Sequence, residues 1–186
     1  MEEYIHIEPM VLPLKDLQQL LRYFNQLKFA KAKITTKEKL NEENLNTRNV
    51  GSYWVSETSY LMTDVFLANY FEFICRNIVK KNEHKIFNNY FSVKYFENFE
   101  ILKYDKDHKF TCHKDHGSDH PRTLSFVFIL NDDYEGGDLI FHLKNKSLQV
   151  PRKPNQLIVF PSNGCFPHEV TPITKGTRYS VVTWAL

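Results

Sequence analysis

Cysteine is scarce in this chain. Cys75, Cys112 and Cys165 are odd in number and far apart, so they do not read as a disulfide framework and suit a reducing compartment. Long apolar runs are missing as well. None approaches the ~18 residues that a membrane-spanning helix needs. The opening "MEEYIHIEPM" is acidic and carries no apolar stretch of the secretory type. No membrane association is therefore expected, and the expected location is cytoplasmic. A large charge of one sign is also absent, with 24 basic and 22 acidic residues leaving a formal +2. The one basic run, "KFAKAKITTKEK", is offset by Glu38, Glu42 and Glu43. It reads as a solvated face rather than a nucleic-acid patch. There is no internal repeat and no low-complexity tract.

What is present suits a folded domain. At 186 residues, 42% hydrophobic and 15% aromatic, the chain is long enough and apolar enough for one domain over 1–186. Fifteen Phe and ten Tyr lean toward β structure. The first part, 1–90, reads as mainly helical support. "PLKDLQQLLRYFNQL" opens on Pro13 and repeats Leu14, Leu17, Leu21, Phe24 and Leu27 at helical spacing. A second helix is expected from about Thr63, with Val65, Leu67, Phe71, Ile74 and Ile78 on its apolar face. Between them "TTKEKLNEENLNTRNVGS" has no periodicity and reads as a polar loop.

Over 91–186 short apolar or alternating runs recur between turn signals: "YFENFEILKY", "KFTCH", "TLSFVFIL", "DLIFHL", "SLQV", "QLIVF", "PHEVT" and "TRYSVVTWAL". Eight short strands without intervening helices predict a barrel or a two-sheet jelly roll, with the N-terminal helices covering one sheet. The fold expected is mostly β, a double-stranded β-helix core flanked by supporting α-helices.

The stretch "KFTCHKDHGSDHP" concentrates imidazoles and carboxylates. In a strand, residues i and i+2 share a side, so His113 and Asp115 could hold one cation together. His6 and Glu8 form a similar pair and are assigned no function. Two other readings stay open: the pair hydrates a turn, or Cys112, His113, His116 and His120 form a zinc knuckle, which would need a sharp fold of the chain within nine residues. A two-histidine, one-carboxylate centre needs a third ligand from elsewhere and leaves positions open for substrates. His168, on a late strand after "PSNGCFP", is the candidate. Ten residues on, Arg178 has a planar fork suited to a carboxylate.

These segments, in this order, resemble the prolyl 4-hydroxylase-like, PKHD-type branch of the Fe(II)/2-oxoglutarate dioxygenases. "EILKYDKDHKFTCHKD" is similar to the family's tyrosine and His-x-Asp segment. "RTLSFVFILNDDYEGGDLIF" resembles its Arg-x-x-Ser strand, hairpin and Gly-Gly element. "QLIVFPSNGCFPHEVTPITKGTRYSVVTW" resembles its final histidine, basic residue and closing tryptophan. The resemblance covers roughly 99–184 and leaves the N-terminal half without a specific motif. It implies Fe(II), 2-oxoglutarate and O2 as cofactors, with ascorbate as a candidate auxiliary reductant. It implies iron ligands His113, Asp115 and His168, which are also the catalytic residues. Arg178 would pair with the distal carboxylate of 2-oxoglutarate, with Tyr104 and Ser125 as further cosubstrate contacts. Arg122 and Trp184 match positions on the substrate side. Each has a plainer reading: Tyr104 as a strand aromatic, Ser125 as a core hydroxyl, Trp184 as core, Arg122 as a surface charge. The function implied is hydroxylation of a protein or peptide side chain, above all proline. Rivals are oxidation of a free amino acid, another small molecule or nucleic acid, and a non-catalytic jelly roll that binds metal or acid. Repair-type demethylases carry two arginines near the end of the fold; after Arg178 this chain has none.

Overall fold

Strand β7 (Leu124–Ile129) is buried at every position, the mark of a strand covered on both faces. It lies near the middle of an antiparallel sheet whose members come from along the whole chain. In chain order the partners are β1 (His6–Pro9), β2 (Ala30–Lys31), β4 (Gly51–Val55), β5 (Phe99–Tyr104), β11 (Gln156–Pro161) and β14 (Arg178–Ala185). Their order across the sheet is β1-β11-β7-β14-β5-β4-β2. A second, facing sheet contains β3 (Arg48–Asn49), β6 (Lys109–His113), β9 (Leu139–Leu143), β10 (Lys146–Gln149) and β12 (His168–Val170), ordered β10-β9-β12-β6-β3. Strand β9 alternates buried and partly exposed positions, as expected where one face meets solvent. Short strands β8 (Glu135–Gly136) and β13 (Ile173–Lys175) pair apart from both sheets. The computed structural model describes residues 1–34, 43–82, 93–117 and 121–186.

Two cores follow from strand alternation. Outward residues of the larger sheet, among them Ile101, Phe126, Phe128, Leu157, Tyr179 and Val181, pack under helices α1 (Leu14–Phe24) and α2 (Met62–Lys81). The helices bury Leu17, Leu20 and Phe24, and Leu67, Phe71, Ile74 and Ile78. Tyr70 of α2 donates to Asp16 of α1 at 2.6 Å and ties the two together. Inward residues, including Leu102, Tyr104, Val127, Ile129, Ile158 and Phe160, meet Leu139, Phe141 and Val170 of the smaller sheet. Strand β14 is buried throughout and serves both cores: Tyr179, Val181 and Ala185 face the helices, while Val182 and Trp184 face the inner core.

All eight strands expected in the second part form, and both helices start within a residue or two of their expected positions. The architecture is the mostly β, jelly-roll-like fold with flanking helices that the pattern implies. One expectation needs correction. The polar stretch read as a loop contains β3, and Gly51–Val55 is a strand of the larger sheet, paired along its length with β5. Together with β1 and β2, the helical part thus also supplies strands to both sheets. Among the described residues no helix is long and apolar enough to cross a membrane.

Candidate metal centre and cosubstrate cleft

Three side chains converge in the cleft between the sheets. His113 ends β6, Asp115 follows it, and His168 opens β12. His113 and His168 are direct cross-strand partners, so one ladder fixes two of the groups. Ligating atoms of the three lie within 4.8 Å of one another. His113 Nε2 is 3.5 Å from Asp115 Oδ1, and His168 Nε2 is 3.7 Å from Asp115 Oδ2. Among the described residues this is the one cluster of three or more such groups.

Each histidine is oriented in the same way. Nδ1 of His113 meets the Thr111 carbonyl at 2.9 Å, and Nδ1 of His168 meets the Phe166 carbonyl at 3.1 Å. A proton on Nδ1 satisfies both contacts and leaves the Nε2 lone pairs facing Asp115, the usual arrangement of metal-ligating histidine. Ser125 Oγ donates to Asp115 Oδ2 at 2.6 Å and is itself 2.8 Å from Ser162 Oγ. Burial pushes the His168 imidazole down to about 4, despite the pull of Asp115. Burial alone would raise the Asp115 carboxyl, but His168, His113 and the Ser125 hydroxyl hold it well below the usual carboxylate range. At neutral pH Asp115 therefore rests as carboxylate and His168 as neutral imidazole, the forms that bind a cation. Two imidazoles and one carboxylate on one side of a cleft suit ferrous iron.

Deeper in the same cleft stands Arg178, 1% exposed. Its cross-strand partner is Tyr104, whose ring centroid lies 4.9 Å from the guanidinium carbon. Burial pushes the Tyr104 phenol up, against the pull of Arg178. The Nε and Nη2 atoms of Arg178 are buried and have no partner among the described residues. Leaving these two N–H groups of a buried cation without an acceptor is costly, so this geometry suits an anion. Ser180, two residues on along β14, also lines the cleft with a buried hydroxyl lacking a partner among the described residues. Sequence reasoning passed over it. Its spacing from Arg178 along one strand was the signal that could have found it. Gly137 packs behind Arg178: a Cβ there would lie 3.3 Å from Arg178 Cδ. The cleft is also lined by Arg48 and Phe110 and by apolar Leu102, Val127, Leu139, Val170 and Val182.

Trp184 lines this cleft too. Arg122 lies over its ring at 3.6 Å, with Nε and Nη2 donating to Glu97 at 2.7 and 2.6 Å. Arg122 is thus already engaged, and it braces the tryptophan. Cys112 is exposed, and His116 turns its Nδ1 to the Arg122 carbonyl at 2.9 Å. Neither joins the cluster. His120 lies outside the described residues. The zinc-knuckle grouping is not formed by those members that are described.

Comparison with known proteins bears on the family and the fold. Residues 99–186 match the family described as the 2OG-Fe(II) oxygenase superfamily. A PKHD-type hydroxylase of Synechococcus sp. is 42% identical over 65 residues, 34% of this chain and 28% of that protein. Human prolyl 3-hydroxylase 2 is 38% identical over 66 residues, 34% of this chain and 9% of that one. The matched stretch thus spans less than a third of either relative. Among solved structures, a prolyl hydroxylase of Trichoplax adhaerens, in complex with a hypoxia-inducible-factor peptide fragment, superposes with a TM-score of 0.79. The match has 18% identity over 99% of this chain and 84% of that one. A Pseudomonas putida prolyl-4-hydroxylase gives a TM-score of 0.71 at 22% identity, over 97% of this chain and 91% of that one. At these identities the structures speak for the fold.

Proposed function

We propose, from the premise that residues 99–186 belong to the 2OG-Fe(II) oxygenase superfamily, that this chain is a 2-oxoglutarate-dependent hydroxylase acting on a protein side chain, with peptidyl proline foremost. The observation that carries the reading is the pairing, in one cleft, of the His113–Asp115–His168 cluster with the buried guanidinium of Arg178, whose Nε and Nη2 lack partners among the described residues. A metal site alone would fit many chemistries. A metal site with a buried cation behind it fits a chelating dicarboxylate.

His113, Asp115 and His168 would hold the iron, and Ser125 keeps the Asp115 carboxylate turned toward it. When bound there, ferrous iron with 2-oxoglutarate and O2 supplies the oxidation that yields succinate, CO2 and a hydroxylated C–H position. Arg178 receives the distal carboxylate of the cosubstrate. The Ser180 hydroxyl stands on the same wall, and the neutral Tyr104 phenol lies beside Arg178. Apolar walls keep water from the reacting positions. No side chain is needed as a general base. Trp184, braced by Arg122 and Glu97, offers an apolar face at the cleft; half-exposed Trp54 lies 6.4 Å away between ring centroids. A pyrrolidine ring fits such a surface. The Trichoplax neighbour was solved with a peptide, which supports a peptide here.

The test is direct. The chain is incubated in air with Fe(II), 2-oxoglutarate and candidate substrates, and succinate and the gain of one oxygen atom are followed. Succinate release with hydroxylated proline-containing peptides is expected. Failure to bind 2-oxoglutarate in the presence of metal would sink the oxygenase reading. If single-stranded DNA or RNA, but no peptide or protein, stimulates succinate release, the peptide assignment is wrong.

A further inference from the structure

Strand β6 carries an irregularity at the centre of the site. On β12, His168 and Val170 are two residues apart, yet they pair with His113 and Phe110, three apart. The extra residue is a β-bulge, a device that re-aims side chains. In a regular strand Phe110 and His113 would face opposite ways. Here they stack face to face, with centroids 3.5 Å apart and planes 13° from parallel. Phe110 is in turn the cross-strand partner of Arg48 on β3, whose guanidinium carbon lies 4.9 Å from the phenyl centroid.

Arg48 is itself held from two sides. Nη1 donates to the Lys33 carbonyl at 3.0 Å, and Nη2 donates to Glu100 Oε2 at 2.7 Å. The other oxygen of Glu100 accepts from Ser52 Oγ at 2.6 Å. Glu100 is 1% exposed and Arg48 8%. A buried ion pair of this kind gives little net stability over well-packed apolar residues, so stability alone does not explain it. Its geometric product is a fixed cation against the ring that backs His113.

We propose that Arg48 is a positioning residue for the metal centre. Locked by Glu100, it holds Phe110 flat against the His113 imidazole and so fixes the plane in which Nε2 meets the ion. The Thr111 carbonyl fixes one edge of that ring; the Phe110 stack fixes its tilt. The inference rests on the metal-centre reading above.

Co(II), whose visible bands report coordination geometry, is the probe, titrated into the full chain and its variants. Arg48→Met with Glu100→Met removes both buried charges together and so leaves neither unpaired. Phe110→Leu removes the ring without touching the ion pair. Each is expected to lower Co(II) affinity about 10- to 100-fold, as loss of outer partners of a ligand does, and to alter the visible spectrum. Phe110→Tyr keeps the ring and should behave as wild type. Combining all three substitutions should cost no more than Phe110→Leu alone, because both act through one ring. Unchanged affinity and spectrum in folded Phe110→Leu would overturn the proposal, whether or not the double variant folds. So would a loss of thermal stability in the double variant with metal binding intact. Should the wild-type chain bind no Co(II), the metal-centre reading falls and takes this inference with it.

Discussion

At the scale of single residues, Arg178 has the most to lose. A charge-assisted, two-point contact with a carboxylate contributes roughly 1.5–3 kcal/mol. Arg178→Ala is therefore expected to weaken 2-oxoglutarate binding about 10- to 150-fold, and Arg178→Lys should recover part of that. Calorimetric titration of the metal-loaded protein measures both. Ser125 makes a smaller claim. Ser125→Ala removes the donor at Asp115 Oδ2, and metal affinity should fall about 10-fold with the fold kept. Competition against a chromogenic chelator reads it. His113 and Asp115 were legible in the sequence as an i, i+2 pair, and His168 and Arg178 as candidates on later strands whose roles the family resemblance implies. Arg48 and Phe110 were not. Their roles depend on a pairing between β3 and β6 and on a bulge, and neither leaves a mark in local periodicity.

At the scale of elements, the strands of the second part were readable because apolar runs and turn residues alternate cleanly there. Strands β3 and β4 were not. "TRNVGSYWV" mixes polar residues with a glycine, and β4 owes its strand state to pairing with β5, a tertiary effect that outweighs local preference. The turn at β8 shows the opposite case, where sequence and geometry agree. Gly136 has φ +72°, and a Cβ there would sit 2.1 Å from the Pro172 carbonyl oxygen. Gly136→Ala should thus add a backbone clash to the ~1–2 kcal/mol of a left-handed non-glycine residue. Its Tm is expected to drop by at least about 3 °C, measured by calorimetry. A wild-type Tm would mean that the β8–β13 pairing moves without cost.

At the scale of the molecule, the cleft joins two sheets whose other faces are already committed, one to helices and one to solvent. An ion held by β6 and β12, together with an acid held by β14, would cross-link the two layers. Ligands that bind only the folded state stabilise it by mass action, about 2.7 kcal/mol at a hundred times Kd. For a chain of this length that corresponds to a rise in Tm of about 5–11 °C on adding metal, reversed by chelator. Asp115→Ala should abolish the rise. A shift that persists in Asp115→Ala would place the metal elsewhere.

Strand β14 carries a consequence for how this protein can change. Its side chains alternate between the helix-covered core and the cleft, with Tyr179, Val181 and Ala185 on one side and Arg178, Val182 and Trp184 on the other. The two sets form separate alphabets written on one line. Letters in either can be exchanged one for one: 182 and 184 to alter what the cleft accepts, 179 and 181 to alter how firmly the helices sit. A single residue inserted or deleted within β14 is another matter. It would exchange the two alphabets from that point on, turning cleft side chains into the helix core and core side chains toward the metal. Libraries that seek new specificity in this scaffold should therefore substitute freely along β14 and never change its length.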